Sequence, residues 1–146
     1  TLAMSPDGKW LARENEDGLE IVDAATGTVE AGGLPTGTAL AFSPDSTRLA
    51  IASGSMVSVF RVGEKTADSE DGVTDSRVQA MAFTLDGRIA MGTLRGDVVV
   101  VRPGQPYEAV THERAHGGSA SAIAVAPDGK SFASGGADGQ ILIWPL

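Results

Sequence analysis

His112-Glu113-Arg114-Ala115-His116 carries the spacing with which zinc proteases hold their metal. On a helix, side chains at i and i+4 share a face, so two imidazoles can grip one zinc beside a glutamate base. On a strand the same two positions lie about 13 Å apart, at roughly 3.3 Å per residue. Pro103 and Pro106 precede the segment and Gly117-Gly118 follow it, which argues against a helix. A zinc metalloprotease acting through His112, Glu113 and His116 is therefore the lesser alternative. Asp68-Ser69-Glu70-Asp71-Gly72-Val73-Thr74-Asp75 offers hard oxygen ligands, but its spacing is not that of a helix-flanked calcium loop, and it reads as a solvated segment. Gly92-Thr93-Leu94-Arg95-Gly96 and Gly135-Gly136 fall between strands, with no following helix whose N-terminus would hold a phosphate. Serine, histidine and aspartate all occur, without a nucleophile elbow. The expectation is no catalytic residue, no metal, no cofactor and no enzyme.

Composition narrows the class further. The 146 residues fit one domain, and an apolar content of 42% fits a packed core. There is no cysteine, which removes disulfides and thiolate chemistry and fits a cytoplasmic location. No apolar run reaches the roughly 20 residues of a membrane-spanning helix. The formal charge of −8 opposes broad binding to nucleic acid and favours basic partners, though many acidic proteins are simply soluble. Neither nucleic acid nor membrane is expected as a partner.

The elements that would position any site come from a repeat. An apolar run followed by a Pro/Asp/Gly turn occurs at Leu2–Gly8, Leu40–Ser46, Met81–Gly87 and Ile123–Gly129. The turn residues Asp7, Asp45, Asp86 and Asp128 are 38, 41 and 42 residues apart. After each turn comes a second short run, another Gly- or Asp-rich turn and a β-branched third run, such as Asp97-Val98-Val99-Val100-Val101. Short strands between tight turns predict an all-β fold with essentially no helix. The fourth strand is clearest at Thr28–Ala31 and Glu108–Thr111. Between the second and third units, Gly63–Ser76 is acidic and poor in apolar residues, so a short outer strand or a loop is expected there.

Four strands per unit at a period near 40 resembles the WD-repeat β-propeller family, and the resemblance covers nearly the whole chain. It is strongest in the last unit, where the family's histidine, serine, aspartate and tryptophan fall on His116, Ser134, Asp138 and Trp144. The resemblance implies a hydrogen-bonded chain of these four within one blade. It also claims His116 for structure rather than for zinc. The other units carry Val22, Phe60 and Val101 at the tryptophan position and lack the histidine. The predicted blades are approximately residues 1–35, 36–76, 77–116 and 117–146. Counting strands gives a last blade without its outer strand. The expectation is a half-propeller or fragment whose ring is completed by blades of a longer parent chain or by a second copy. The corresponding alternative function is a structural half-propeller whose main role is assembly into a closed ring.

The resemblance further implies a non-catalytic scaffold or sensor for a protein or peptide, part of a larger bacterial-type signalling or regulatory protein. Multidomain bacterial kinases and signalling ATPases carry such propellers. Partners would meet the loops entering the inner strands and the turns between second and third strands. By position these hold Asn15, Glu16, Arg77, Arg95, Arg114 and Ser119. Trp10, whose equivalents Arg48 and Ser131 are polar, reads as a partly exposed anchor for a partner or, alternatively, as packing between blades.

Overall fold

The computed structural model describes residues 1–72 and 74–146, with the side chains of residues 106 and 107 also outside the description; Val73 of the acidic segment is thus not described. Four antiparallel sheets follow one another along the chain. The first holds β1 (Leu2–Met4), β2 (Trp10–Asn15), β3 (Gly18–Asp23) and β4 (Val29–Leu34). The second holds β5 (Ala39–Phe42), β6 (Arg48–Ser53), β7 (Met56–Arg61) and β8 (Ala67–Gly72). In the third are β9 (Val78–Phe83), β10 (Ile89–Thr93), β11 (Val98–Arg102) and β12 (Gln105–His112). The fourth has three strands, β13 (Ala120–Val125), β14 (Ser131–Gly136) and β15 (Ile141–Pro145). Each sheet pairs its strands in chain order, and no helix occurs among the described residues.

Alternation along the strands gives each sheet two different faces. The second sheet turns Leu40, Phe42, Leu49, Ile51 and Phe60 toward the first, where they pack on Ala12, Leu19 and Ile21. Its other face, with Ala39, Ala50, Ala52, Val57 and Val59, receives Met81, Phe83, Ile89 and Met91 of the third sheet. A third cluster joins Ala90, Val98 and Val100 to Phe132, Ile123 and Trp144. The core is therefore a series of layers between sheets rather than one central core.

The turn that defines the repeat is built the same way three times. The hydroxyls of Ser5, Ser43 and Thr84 donate to the carboxylates of Asp7, Asp45 and Asp86. Each carboxylate also accepts a backbone N–H two residues on, from Lys9, Thr47 and Arg88. The residue after each aspartate has positive φ: Gly8 at 73°, Ser46 at 61° and Gly87 at 83°. Glycine is the ordinary choice there. Ser46 stays because it is buried and its hydroxyl accepts the Asp7 N–H of the neighbouring sheet at 3.2 Å.

These bonds hold the aspartates ionised. The Ser5 hydroxyl, then the Lys9 N–H, lowers the pKa of Asp7. The Ser43 hydroxyl and Thr47 do so for Asp45. Burial pushes Asp86 up, but its bonds to Thr84 and Arg88 outweigh that and leave it lowered. A carboxyl whose folded pKa lies below its unfolded value contributes stability that is complete above a pH of about 4 and is lost as pH falls through the folded value. The thermal midpoint is thus expected to be level from neutral pH to about 5 and to drop below about 4. Asp7→Asn/Asp45→Asn should flatten that acid limb in calorimetry; an unchanged limb would remove these turns from the explanation.

One expected element differs. Gly63–Ser76 contains a six-residue outer strand, β8, paired with β7 from Met56↔Gly72 to Phe60↔Ala67. An outer strand has one sheet neighbour and a solvated side, so it does not need apolar residues. Here the charges themselves are used. Asp68 pairs with Arg61 at 2.9 Å, and buried Asp71 accepts the Gly104 N–H of the third sheet at 2.8 Å.

Candidate partner-binding face

His116, at 1% exposure, sits where the loop entering β13 crosses the β14–β15 turn. Its Nε2 lies 2.8 Å from Ser134 Oγ, and the Trp144 indole N–H donates to the same oxygen at 2.9 Å. Its Nδ1 lies 3.2 Å from Asp138 Oδ1. A neutral ring that donates from Nδ1 to the carboxylate leaves Nε2 to accept the serine proton, so one tautomer satisfies the set. The backbone N–H of Gly117 and then that of Gln140 donate to Asp138 and lower its pKa. Gly136 makes room for this cluster, since a Cβ there would collide with His116 Nδ1 and Asp138 Oδ1.

The same loop is tied to the third sheet. The His116 N–H donates to Gly96 O at 3.0 Å, and the Arg114 N–H donates to Asp97 Oδ1 at 2.9 Å. Two further bonds brace this end of the molecule: Val78 N–H to Gly54 O at 2.9 Å, and Thr38 Oγ1 to Val78 O at 2.7 Å. The loops at one end are therefore held by bonds that run from sheet to sheet.

That end carries Asn15 and Glu16 in the β2–β3 turn, Arg77 before β9, Arg95 in the β10–β11 turn, and Arg114 and Ser119 before β13. Arg95 and Arg114 line one cleft of about 540 Å³ with Asp75, Asp97 and Glu113. Arg77 lines the adjoining one with Glu14 and Ser53. Trp10 does not join them. It starts β2 at the end where Asn15 does not lie, about 17 Å away at roughly 3.3 Å per residue. It is half-buried against the layer between the first two sheets, with Lys9 Nζ 4.4 Å over its ring.

Charge pairing separates this end from the rest. Arg13, Arg48, Arg61, Arg88 and Arg102 each form an ion pair with a carboxylate. Arg77, Arg95 and Arg114 form none among the described residues. Leu94, beside Arg95, is 54% exposed. The sequence points to this turn through Arg95 and not through Leu94; an apolar side chain at a turn tip is the signal that would find it.

The apparent zinc motif is not assembled. His112 ends β12 and lies over Trp144, with ring centroids 4.4 Å apart, while both ring nitrogens of His116 are engaged elsewhere. Among the described residues no three His, Cys, Asp or Glu side chains are grouped to hold a metal.

The family model described as WD domain, G-beta repeat, matches residues 108–145. That span runs from β12 through the whole fourth sheet and contains the His116–Ser134–Asp138–Trp144 network. Residues 108–145 form a WD repeat. The chain's four sheets are consecutive blades of a propeller segment, the last with three strands. WD repeats generally serve as non-catalytic scaffolds for protein–protein interaction. No curated protein matches the chain.

Proposed function

We propose that this WD-repeat segment binds a protein or peptide through the end that carries Arg77, Leu94, Arg95, Arg114 and Ser119, and that it performs no catalysis. The observation behind this reading is the gathering of the three arginines without ion pairs on loops braced between blades. An arginine held near an apolar side chain suits a partner segment that supplies carboxylates beside an apolar residue. The net charge of −8 works against nucleic acid and anionic membrane as partners. Trp10, at the other end, is assigned to packing between blades.

The wider setting is part of the same proposal: a cytoplasmic scaffold or sensor module within a bacterial-type signalling or regulatory protein. The absence of cysteine agrees with that compartment.

A panel of peptides combining Asp or Glu with Leu or Phe, measured by titration calorimetry, tests the site. Binding should weaken as salt rises. Arg95→Glu/Arg114→Glu should weaken it at least tenfold while leaving the thermal midpoint nearly unchanged, because both side chains are exposed and make no ion pair among the described residues. Binding that survives this double reversal, or a preference for basic peptides, would place the site elsewhere.

A further inference from the structure

Among the described residues, Ser46 and Arg114 are the two that are not glycine and yet have positive φ, 61° and 48°. That region favours glycine, because a Cβ crowds the backbone there. Such an outlier persists only where its surroundings over-determine it, and outliers gather at binding sites. Ser46 is accounted for by its burial and by the Asp7 N–H that its hydroxyl accepts. Arg114 has no such account. Its side chain is exposed and forms no ion pair among the described residues. The turn at Arg114 delivers Ala115 to the layer below and His116 to its buried network. Glycine would make the same turn without strain. The needs of the backbone therefore explain the conformation and not the arginine.

The Asp97 carboxylate holds that conformation. Its Oδ1 accepts the Arg114 N–H at 2.9 Å, and its Oδ2 accepts the Thr93 hydroxyl at 3.0 Å. The Asp97 N–H donates back to the Thr93 oxygen at 3.1 Å, and Thr93 is fully buried. The carboxylate is thus fixed within the third sheet before it meets the loop. The β10–β11 turn also presses on that loop: a Cβ on Gly96 would fall 2.3 Å from His116 O and 2.5 Å from Gly118 O. On the far side, the Asp138 carboxylate of the fourth sheet accepts the Gly117 N–H at 2.7 Å. Two carboxylates from adjacent sheets grip one loop. What the loop presents is the Arg114 side chain, which lines the cleft with Arg95.

We infer that Asp97 is the positioning residue of this end: it locks the Arg114 backbone in the left-handed conformation and so presets the guanidinium for a carboxylate of the partner. The inference rests on the reading of this end as a binding face for an acidic and apolar segment. A preset arginine loses less freedom when it binds. The negative charge of Asp97 opposes an acidic partner. Asp97 therefore helps binding through its hydrogen bond and hinders it through its charge, and the two effects can be measured apart.

Titration calorimetry separates them, with the tightest-binding peptide among those combining Asp or Glu with Leu or Phe. Asp97→Asn removes the charge and keeps an oxygen for the Arg114 N–H, so its affinity should equal or exceed the parent's. Asp97→Ala removes both, and should bind about tenfold more weakly than Asp97→Asn. In an Arg114→Gly background the two should bind alike, because glycine needs no clamp and carries no guanidinium. Arg114→Gly itself should bind about tenfold more weakly than the parent. Its thermal midpoint should lie at or above the parent's, since a strained residue has been relieved. This last arm does not depend on the folding of the Asp97 variants. An Asp97→Ala chain that binds as tightly as Asp97→Asn would overturn the inference and leave the binding face standing. So would an Arg114→Gly midpoint well below the parent's, because the side chain would then serve the fold. A parent that binds no peptide of the panel would overturn the reading of the face, and this inference with it.

Discussion

Ser134→Ala is expected to destabilise the fourth blade by about 2–4 kcal/mol, because the one hydroxyl it removes serves a buried imidazole and a half-buried indole. Ser134 is fully buried, accepts the Trp144 indole N–H and faces His116 Nε2. Alanine removes little volume but leaves both nitrogens without that partner. An unsatisfied buried polar group costs about 1–3 kcal/mol, and Trp144 is only half-buried, which places the sum in the lower part of the combined range. Denaturant unfolding measures the loss. Trp144 and Trp10 are the two tryptophans, so a Trp10→Phe background reports the fourth blade alone by fluorescence. Ser134→Thr, which keeps the hydroxyl, should recover part of the loss. If Ser134→Ala costs less than about 0.5 kcal/mol, the range of a surface substitution, the network is not contributing to stability.

The second large effect lies between blades. Ile51 is 1% exposed in the layer between the first two sheets, packed with Phe42, Leu49 and Phe60. Ile51→Ala should cost about 2–5 kcal/mol, the sum of lost transfer energy and the cavity left behind. Ile143 has the same side chain but is 67% exposed, so Ile143→Ala should cost under about 0.5 kcal/mol in the dilute chain. Denaturant unfolding measures both. A large cost at Ile143 would mean that its face is covered within the chain itself.

Both predictions rest on features of different legibility. The four network residues of the last repeat were readable because each stands at a fixed place in one repeat: His116 before the inner strand, Ser134 on the second, Asp138 in the turn and Trp144 on the third. What implied their bonding was the resemblance of the last unit to the WD-repeat family. The outer strand β8 was not readable, because a solvated outer strand leaves no apolar signature. Its Asp68 and Asp71 look like loop residues until Arg61 and the Gly104 N–H are seen beside them. The polar equivalents of Trp10 leave a partner anchor and packing between blades both open, and its position at the start of β2, at the other end of the blade from Asn15 and against the layer between the first two sheets, agrees with packing.

The arginines without an ion pair among the described residues show the same division. All eight look alike in the chain. Arg102 meets Asp86 only because adjacent strands and turns of the third sheet converge there, and Arg48 and Arg61 share Asp68 across the second. Arg77, Arg95 and Arg114 come from two different loops and one turn, and only folding brings them to one end.

The sequence by itself determined the all-β repeat, its period and its defining turns, because alternation and turn chemistry act over a few residues; the network of the fourth blade came from the resemblance to a known family. The tertiary structure decided which charges are paired, where Trp10 packs and which arginines share one end, because those depend on how strands and sheets come together, which residue spacing along the chain does not encode.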